Sequence, residues 1–182
     1  MDLYREPGAN GFVKEPARQA KALHLVKANQ EQVQKIWPLV RRGCLSVKAK
    51  TREHDGTDAS GNWTPEHIRA QIELGYVGKS SCELWLITDG DDKVHGFLVT
   101  VISNCPYLQV PLSLMIWVAY TVRPIGGRNA RAILGELEEY AKKFGLLYVD
   151  GYTNRPEWAA WLKKYGRGYR SALALIRKNL WD

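Results

Sequence analysis

The chain has 182 residues, 45% hydrophobic and 25% charged, with a formal net charge of +7. That is room for one ordinary domain with a real core, and the balance argues against disorder, a fibrous architecture or two well-separated domains. The charge is uneven: residues 1–55 hold eleven bases against six acids, residues 56–122 three against seven, and residues 141–182 nine against three. Basic ends favour anionic partners, which leaves coenzyme phosphates, nucleic acid and acidic protein surfaces open.

Residues 1–21 carry Pro7, Gly8, Gly11 and Pro16 and few apolar residues, and read as an extended arm. They lack the apolar run of a signal peptide, and the most apolar stretch, Leu112 to Val122, is too short for a membrane helix, so a cytoplasmic protein is expected. The domain is expected over residues 22–182. Ala22–Lys27 reads as a strand, and Asn29 with Gln32 three residues on resembles a capping box opening a helix. Val33, Ile36, Trp37, Val40 and Cys44 share one face of that helix, and Pro38 is expected to kink or divide it.

Thr51 to Asn62 is polar and aperiodic and reads as a mobile loop. Thr64-Pro65-Glu66 then supplies a cap hydroxyl, a proline at the first helical position and an acid in the first turn, so a second helix follows, ending at Gly75 or Gly78. Cys82–Thr88 and Val94–Val101 read as a hairpin turning at Asp89-Gly90-Asp91-Asp92, and Leu112–Val122 as a third long strand. Apolar residues at helical spacing from Asn129 to Phe144 predict a helix stopped by Gly145. A strand over Leu146–Tyr152, a Trp-rich helix over Pro156–Tyr165 and a last strand over Ser171–Ile176 complete the order. Cys44, Cys82 and Cys105 are odd in number and lack metal-site spacing, so neither a disulfide framework nor a metal is expected.

The chemistry concentrates where the third long strand runs into Arg123-Pro124-Ile125-Gly126-Gly127-Arg128 and the helix from Asn129. A strand, a glycine turn and a helix N-terminus aim several N–H groups and the positive end of the helix dipole at one spot. Glycines let an anion approach, and Arg123 and Arg128 can add charge-assisted contacts; the same Gly-Gly pair also fits a simple tight turn.

From Ala22 onward the order of elements resembles the GNAT superfamily of N-acetyltransferases. The residues that carry the resemblance are Val122-Arg123-Pro124, Gly126, Ala130-Arg131-Ala132-Ile133-Leu134, Glu139 to Gly145, Leu147-Tyr148-Val149 and Trp161 to Gly166. It implies an α+β fold with a mixed, partly splayed sheet flanked by helices, and acetyl-coenzyme A as acyl donor to an amine. It also implies a donor site at Tyr120, Thr121, Val122, Arg123, Gly126, Gly127, Arg128 and Asn129, with Tyr120 and Thr121 nearest the acyl group. Two positions depart from the family pattern: Arg128 stands at a usual glycine or alanine, and Leu162 at the usual tyrosine that protonates the leaving thiolate. Tyr152, Tyr165 and Tyr169 are the substitutes, and Asp150 leads the candidates for general base over Glu53, His54, Asp55, Glu66 and His67. His67 reads first as a solvent-facing residue of a helix start, and His95 has no evident partner.

A looser likeness, in Ile36-Trp37-Pro38-Leu39-Val40, Trp63-Thr64-Pro65-Glu66, the short Gly126-Gly127 turn and the Trp158 to Tyr165 helix, is to GNAT-like bacteriophage proteins. It implies a non-catalytic module, with virion partners or a second copy of the chain, as the alternative to an enzyme. A GNAT-like enzyme that modifies DNA is a third reading, favoured by the basic ends alone.

Overall fold

The computed structural model describes residues 21–55, 63–104, 111–151 and 156–165. The expected arm, Tyr152, Tyr169 and the expected strand over Ser171–Ile176 lie outside them.

The elements are β1 (Leu23–Lys27), α1 (Gln30–Asp55), α2 (Pro65–Tyr76), β2 (Glu83–Asp89), β3 (Val94–Asn104), β4 (Pro111–Thr121), α3 (Gly127–Lys143), β5 (Tyr148–Gly151) and α4 (Pro156–Tyr165). One mixed sheet in the order β1-β2-β3-β4-β5 runs through the centre, antiparallel from β1 to β4 and parallel between β4 and β5. Alternation along the strands feeds two cores. Trp85, Ile87, Leu98, Leu114 and Ile116 meet Ile133, Leu134 and Leu137 of α3 and Leu162 of α4 on one face. Leu84, Leu86, Phe97, Val99 and Val118 meet Val33, Val40 and Cys44 of α1 and Ile68 and Ile72 of α2 on the other. The sheet is thus covered on both sides, an α+β fold.

The helix ends follow their caps. Asn29 and Gln32 exchange hydrogen bonds, the Asn29 N–H donating to Gln32 Oε1 at 2.9 Å and the Gln32 N–H to Asn29 Oδ1 at 2.8 Å. Thr64 Oγ1 accepts from the His67 N–H at 3.1 Å, ahead of Pro65. Gly78 (φ 70°) and Gly145 (φ 67°) adopt the left-handed conformation just past α2 and α3. There the Lys79 N–H reaches Leu74 O and the Leu146 N–H reaches Ala141 O, which satisfies carbonyls the helices leave open. Gly75 lies inside α2, so the stop belongs to Gly78.

Two expectations are corrected. Pro38 lies inside α1 without dividing it, because the helix on either side is pinned by Val33, Val40 and Cys44, all buried against the sheet. The polar stretch expected as loop from Thr51 is helical as far as Asp55, since propagating a formed helix by one more turn costs little; residues 56–62 lie outside the described set.

The outer edge of β1 is occupied by side chains of α3. Asn129 Oδ1 accepts from the Leu23 N–H at 3.3 Å and Glu136 Oε2 from the Leu25 N–H at 2.6 Å, so the N–H groups of this edge strand are taken up without another strand.

Candidate functional site

β4 and β5 pair only from Ser113↔Tyr148 to Ile116↔Gly151, while β4 continues to Thr121. Among the described residues the last five positions of β4 therefore have no neighbour on the β5 side. Just past the last described β4–β5 pair the β3–β4 register shifts: Val99 faces Val118 and Thr100 faces Ile116, which leaves Trp117 as an extra residue in β4. Such a bulge bends its strand and re-aims side chains. Ile116 and Ala119, even and odd, accordingly pack on the same face, with α3, while Trp117, Val118 and Tyr120 pack with α1 and α2.

The Val122 N–H donates to His95 O at 2.9 Å, and Tyr120 is paired with Phe97. The backbones of these two residues are thereby turned toward β3. By alternation, the N–H and C=O groups of Ala119 and Thr121 are turned away from β3, to the β5 side of the strand. The Tyr120 ring is part of the core, 5.7 Å from the Phe97 ring. Of the strand residues expected at the donor site, Thr121 presents its main chain to the β5 side, as Ala119 does, while Tyr120 and Val122 present theirs to β3.

The turn after β4 brings Gly126 to the N-cap of α3 with φ −71° and ψ 161°, and no side chain caps the helix there. The first turn holds no acid, Arg123 and Arg128 are exposed, and a Cβ added at Gly126 would meet nothing within 4 Å. This is an open helix N-terminus with bases around it, suited to an anion. Gly127 differs: a Cβ there would fall 2.5 Å from Tyr165 Cε1, so α4 lays its last aromatic ring on that glycine. Asn129 uses its side chain structurally, accepting from Leu23 and donating to Lys21 O at 3.1 Å.

Asp150 is half-buried and pairs with Met115. Its neighbour Val149 packs on the α3 core, so Asp150 is turned to the α1–α2 face, away from Tyr165, which packs with Val149. The structure does not bring these two candidates to one face. On the Asp150 side it gathers residues that the sequence kept apart: Trp117 meets Trp63 edge-on at 6.4 Å and His67 edge-on at 6.2 Å between centroids. Lys48 Nζ lies 5.8 Å from the Trp63 ring and donates to the Trp63 carbonyl at 3.0 Å. Glu66 is engaged by Arg41 at 3.0 Å; a bond from its own N–H and that guanidinium hold its carboxyl below the usual range. Glu53, His54 and Asp55 are placed in the last turn of α1.

His95, which has no evident partner in the sequence, lies with Nε2 2.8 Å from Oδ2 of the buried Asp89. Burial pushes the Cys44 and Cys82 thiols up to about 12, which makes both poor nucleophiles. Among the described residues no group of three or more His, Cys, Asp or Glu is placed to hold a metal ion, and no helix is long and apolar enough to cross a membrane.

No protein-family model matches the chain, and no curated protein matches it in sequence. Solved structures do. A putative acetyl transferase from Pyrococcus furiosus aligns over 87% of this chain and 99% of its own, with a TM-score of 0.55 and 15% identity. The chain has the fold of GNAT acetyltransferases. A predicted acetyltransferase from Clostridium acetobutylicum, solved with acetyl-CoA, aligns over 87% of this chain and 96% of its own, with a TM-score of 0.57 and 16% identity. Glucosamine-6-phosphate N-acetyltransferase from Arabidopsis thaliana aligns over 89% and 100%, with a TM-score of 0.54 and 14% identity. None of these three is described as a bacteriophage protein, and they lend the virion reading no support.

Proposed function

We propose that the chain is an acyl-coenzyme A-dependent N-acyltransferase that moves an acetyl group to an amine, and that residues 22–182 form its domain. The observation that carries this reading is the pair of main-chain groups, Ala119 and Thr121, turned away from β3 just past the Trp117 bulge and directly upstream of the open N-terminus of α3. Solved acetyltransferases of the same fold, one with acetyl-CoA bound, support it.

The residues fit the donor. Ala119 and Thr121 offer main-chain groups to an extended amide chain in the cleft. The space at Gly126, the first-turn amides of α3 and the exposed Arg123 and Arg128 suit its pyrophosphate. The amine attacks the thioester carbonyl, main-chain donors in the cleft polarise that carbonyl, and the thiolate departs. Orientation and preorganised dipoles supply most of the rate.

One observation favours the rival reading, a module of this fold without catalysis: Tyr165 fills the space at Gly127 that a bare glycine turn would leave to an anion. Gly126 separates the two. Because its Cβ position is open and its backbone suits any L-residue, Gly126→Val should leave the unliganded protein folded, at a cost of about 1 kcal/mol for the poorer N-cap. For the wild type, acetyl-CoA at about a hundred times its Kd adds roughly 2.7 kcal/mol of stability, seen as a rise in Tm. The Val variant should lose that rise, and Arg128→Ala should weaken binding by about 1.5–3 kcal/mol at most. No change in wild-type Tm at millimolar acetyl-CoA overturns the enzyme reading in favour of the module.

A further inference from the structure

Resting on that reading, we infer that His67 is the general base of the transfer and that the acceptor amine reaches the donor from the α1–α2 side, over Trp63 and Trp117. Trp117 is the extra residue of the β4 bulge and lies two positions before Ala119, whose main chain is turned away from β3, so its ring stands beside the stretch proposed to hold the donor. The imidazole that touches this ring belongs to His67. Its position is built: the His67 N–H is held by the Thr64 cap, and the neighbouring Pro65 and Ile68 are buried. The ring itself is exposed, and among the described residues no hydrogen bond engages it.

The other acid–base groups around it are committed or differently placed. Glu66 is paired with Arg41, and Lys48 donates to the Trp63 carbonyl. Asp150 of β5 lies on the same sheet face, two register positions before the bulge, against Met115 rather than Trp117. Imidazole is also the side chain suited to accept a proton near neutral pH. In the step, the ammonium form of the acceptor gives a proton to the free imidazole nitrogen. The amine lone pair forms the new C–N bond to the thioester carbonyl, and the C–S bond breaks. The thiolate leaves with the sulfur electron pair, the new amide nitrogen gives its second proton to water, the thiolate takes a proton from water, and His67 returns its own proton to water.

The test uses the full chain, acetyl-CoA and four amines, tryptamine, histamine, spermidine and glucosamine, with thiol release followed against pH. Binding of acetyl-CoA is measured separately by calorimetry. His67→Gln is expected to lower kcat/KM with the best of these amines by roughly 10²-fold or more, to keep the acetyl-CoA Kd within about threefold, and to abolish the ascending limb of the pH–rate profile. Added imidazole should restore part of the rate. A variant within threefold of wild type, with that limb intact, overturns the assignment while leaving the acyltransferase reading in place. So does an Asp150→Asn variant that alone removes the limb. Acetyl-CoA binding with no thiol release to any of the four amines counts against His67 as base; failure of the wild type to bind acetyl-CoA overturns both readings.

Discussion

At the scale of single residues, polar contacts decide more than the sequence reveals. Asp89 looked like one acid of a hairpin turn. In the fold it is buried, and its carboxylate accepts from the Asp91 N–H at 3.0 Å and the Lys93 N–H at 3.2 Å, with His95 Nε2 at 2.8 Å. The hydrogen bond from His95 comes first among the causes that hold this carboxyl below its ordinary range. A carboxyl depressed in the folded state contributes stability above its unfolded titration, and that contribution is lost as pH falls through the folded one. Asp89→Asn should therefore lower Tm most above about pH 5, with the gap to wild type narrowing toward about pH 2. A gap that is constant across that range in parallel melts sinks the assignment. The partnership was illegible in advance because it depends on the β2–β3 register, in which a shift between Ile87 and Thr88 re-aims the strand end.

At the scale of elements, the caps were legible and the contacts between elements were not. Asn29 with Gln32, Thr64-Pro65 and Gly145 are local devices, each readable within four residues, and each is found where the sequence put it. The close approach of α1 to the sheet is not local. A Cβ at Gly43 would stand 2.5 Å from Phe97 Cε1 and 2.7 Å from Tyr120 Cγ, and Phe97 is fully buried with nowhere to retreat. Replacing a helical glycine by alanine gains about 1 kcal/mol where space is free, whereas overpacking a core costs about 1–3 kcal/mol. Gly135, in α3, has nothing within 4 Å of its Cβ position. Gly135→Ala should therefore raise Tm by roughly 2–4 °C and Gly43→Ala should lower it. Two calorimetric melts check the pair, and equal shifts of the same sign would refute the packing argument. The Trp117 bulge was hidden for a related reason: a strand with one extra residue keeps its composition, and only the partner register exposes it.

At the scale of the whole molecule, one carboxylate ties the α3 layer to the sheet. Glu83 is mostly buried at the start of β2. Its Oε1 accepts from the Tyr140 hydroxyl of α3 at 2.7 Å and from Lys27 Nζ of β1 at 2.5 Å. Oε2 is buried and accepts no hydrogen bond from the described residues. A cavity of about 60 Å³, lined by Glu83, Lys27, Ser80 and Tyr76 among others, adjoins it, which is room for water to complete its solvation. Burial and the Glu83 carboxylate both push the Tyr140 phenol up, so it stays protonated and donates throughout the ordinary pH range. Tyr140 also stacks edge-on against Trp85 at 4.6 Å, so its ring is fixed by packing whether or not the hydroxyl is present. Tyr140→Phe keeps that packing and removes one donor to a charged, half-satisfied acceptor, a loss of about 1.5–3 kcal/mol. For a chain of this size that is a fall in Tm of several degrees, roughly 2–4 °C per kcal/mol. The loss should shrink in Tyr140→Phe/Glu83→Gln, because a neutral amide needs the missing donor less than a carboxylate does, and a double-mutant cycle by denaturant unfolding measures the difference. Strict additivity of the two single changes would mean that the hydroxyl and the carboxylate do not cooperate, and that α3 is held to β2 by apolar packing, its polar links to the sheet being those of Asn129 and Glu136 to β1.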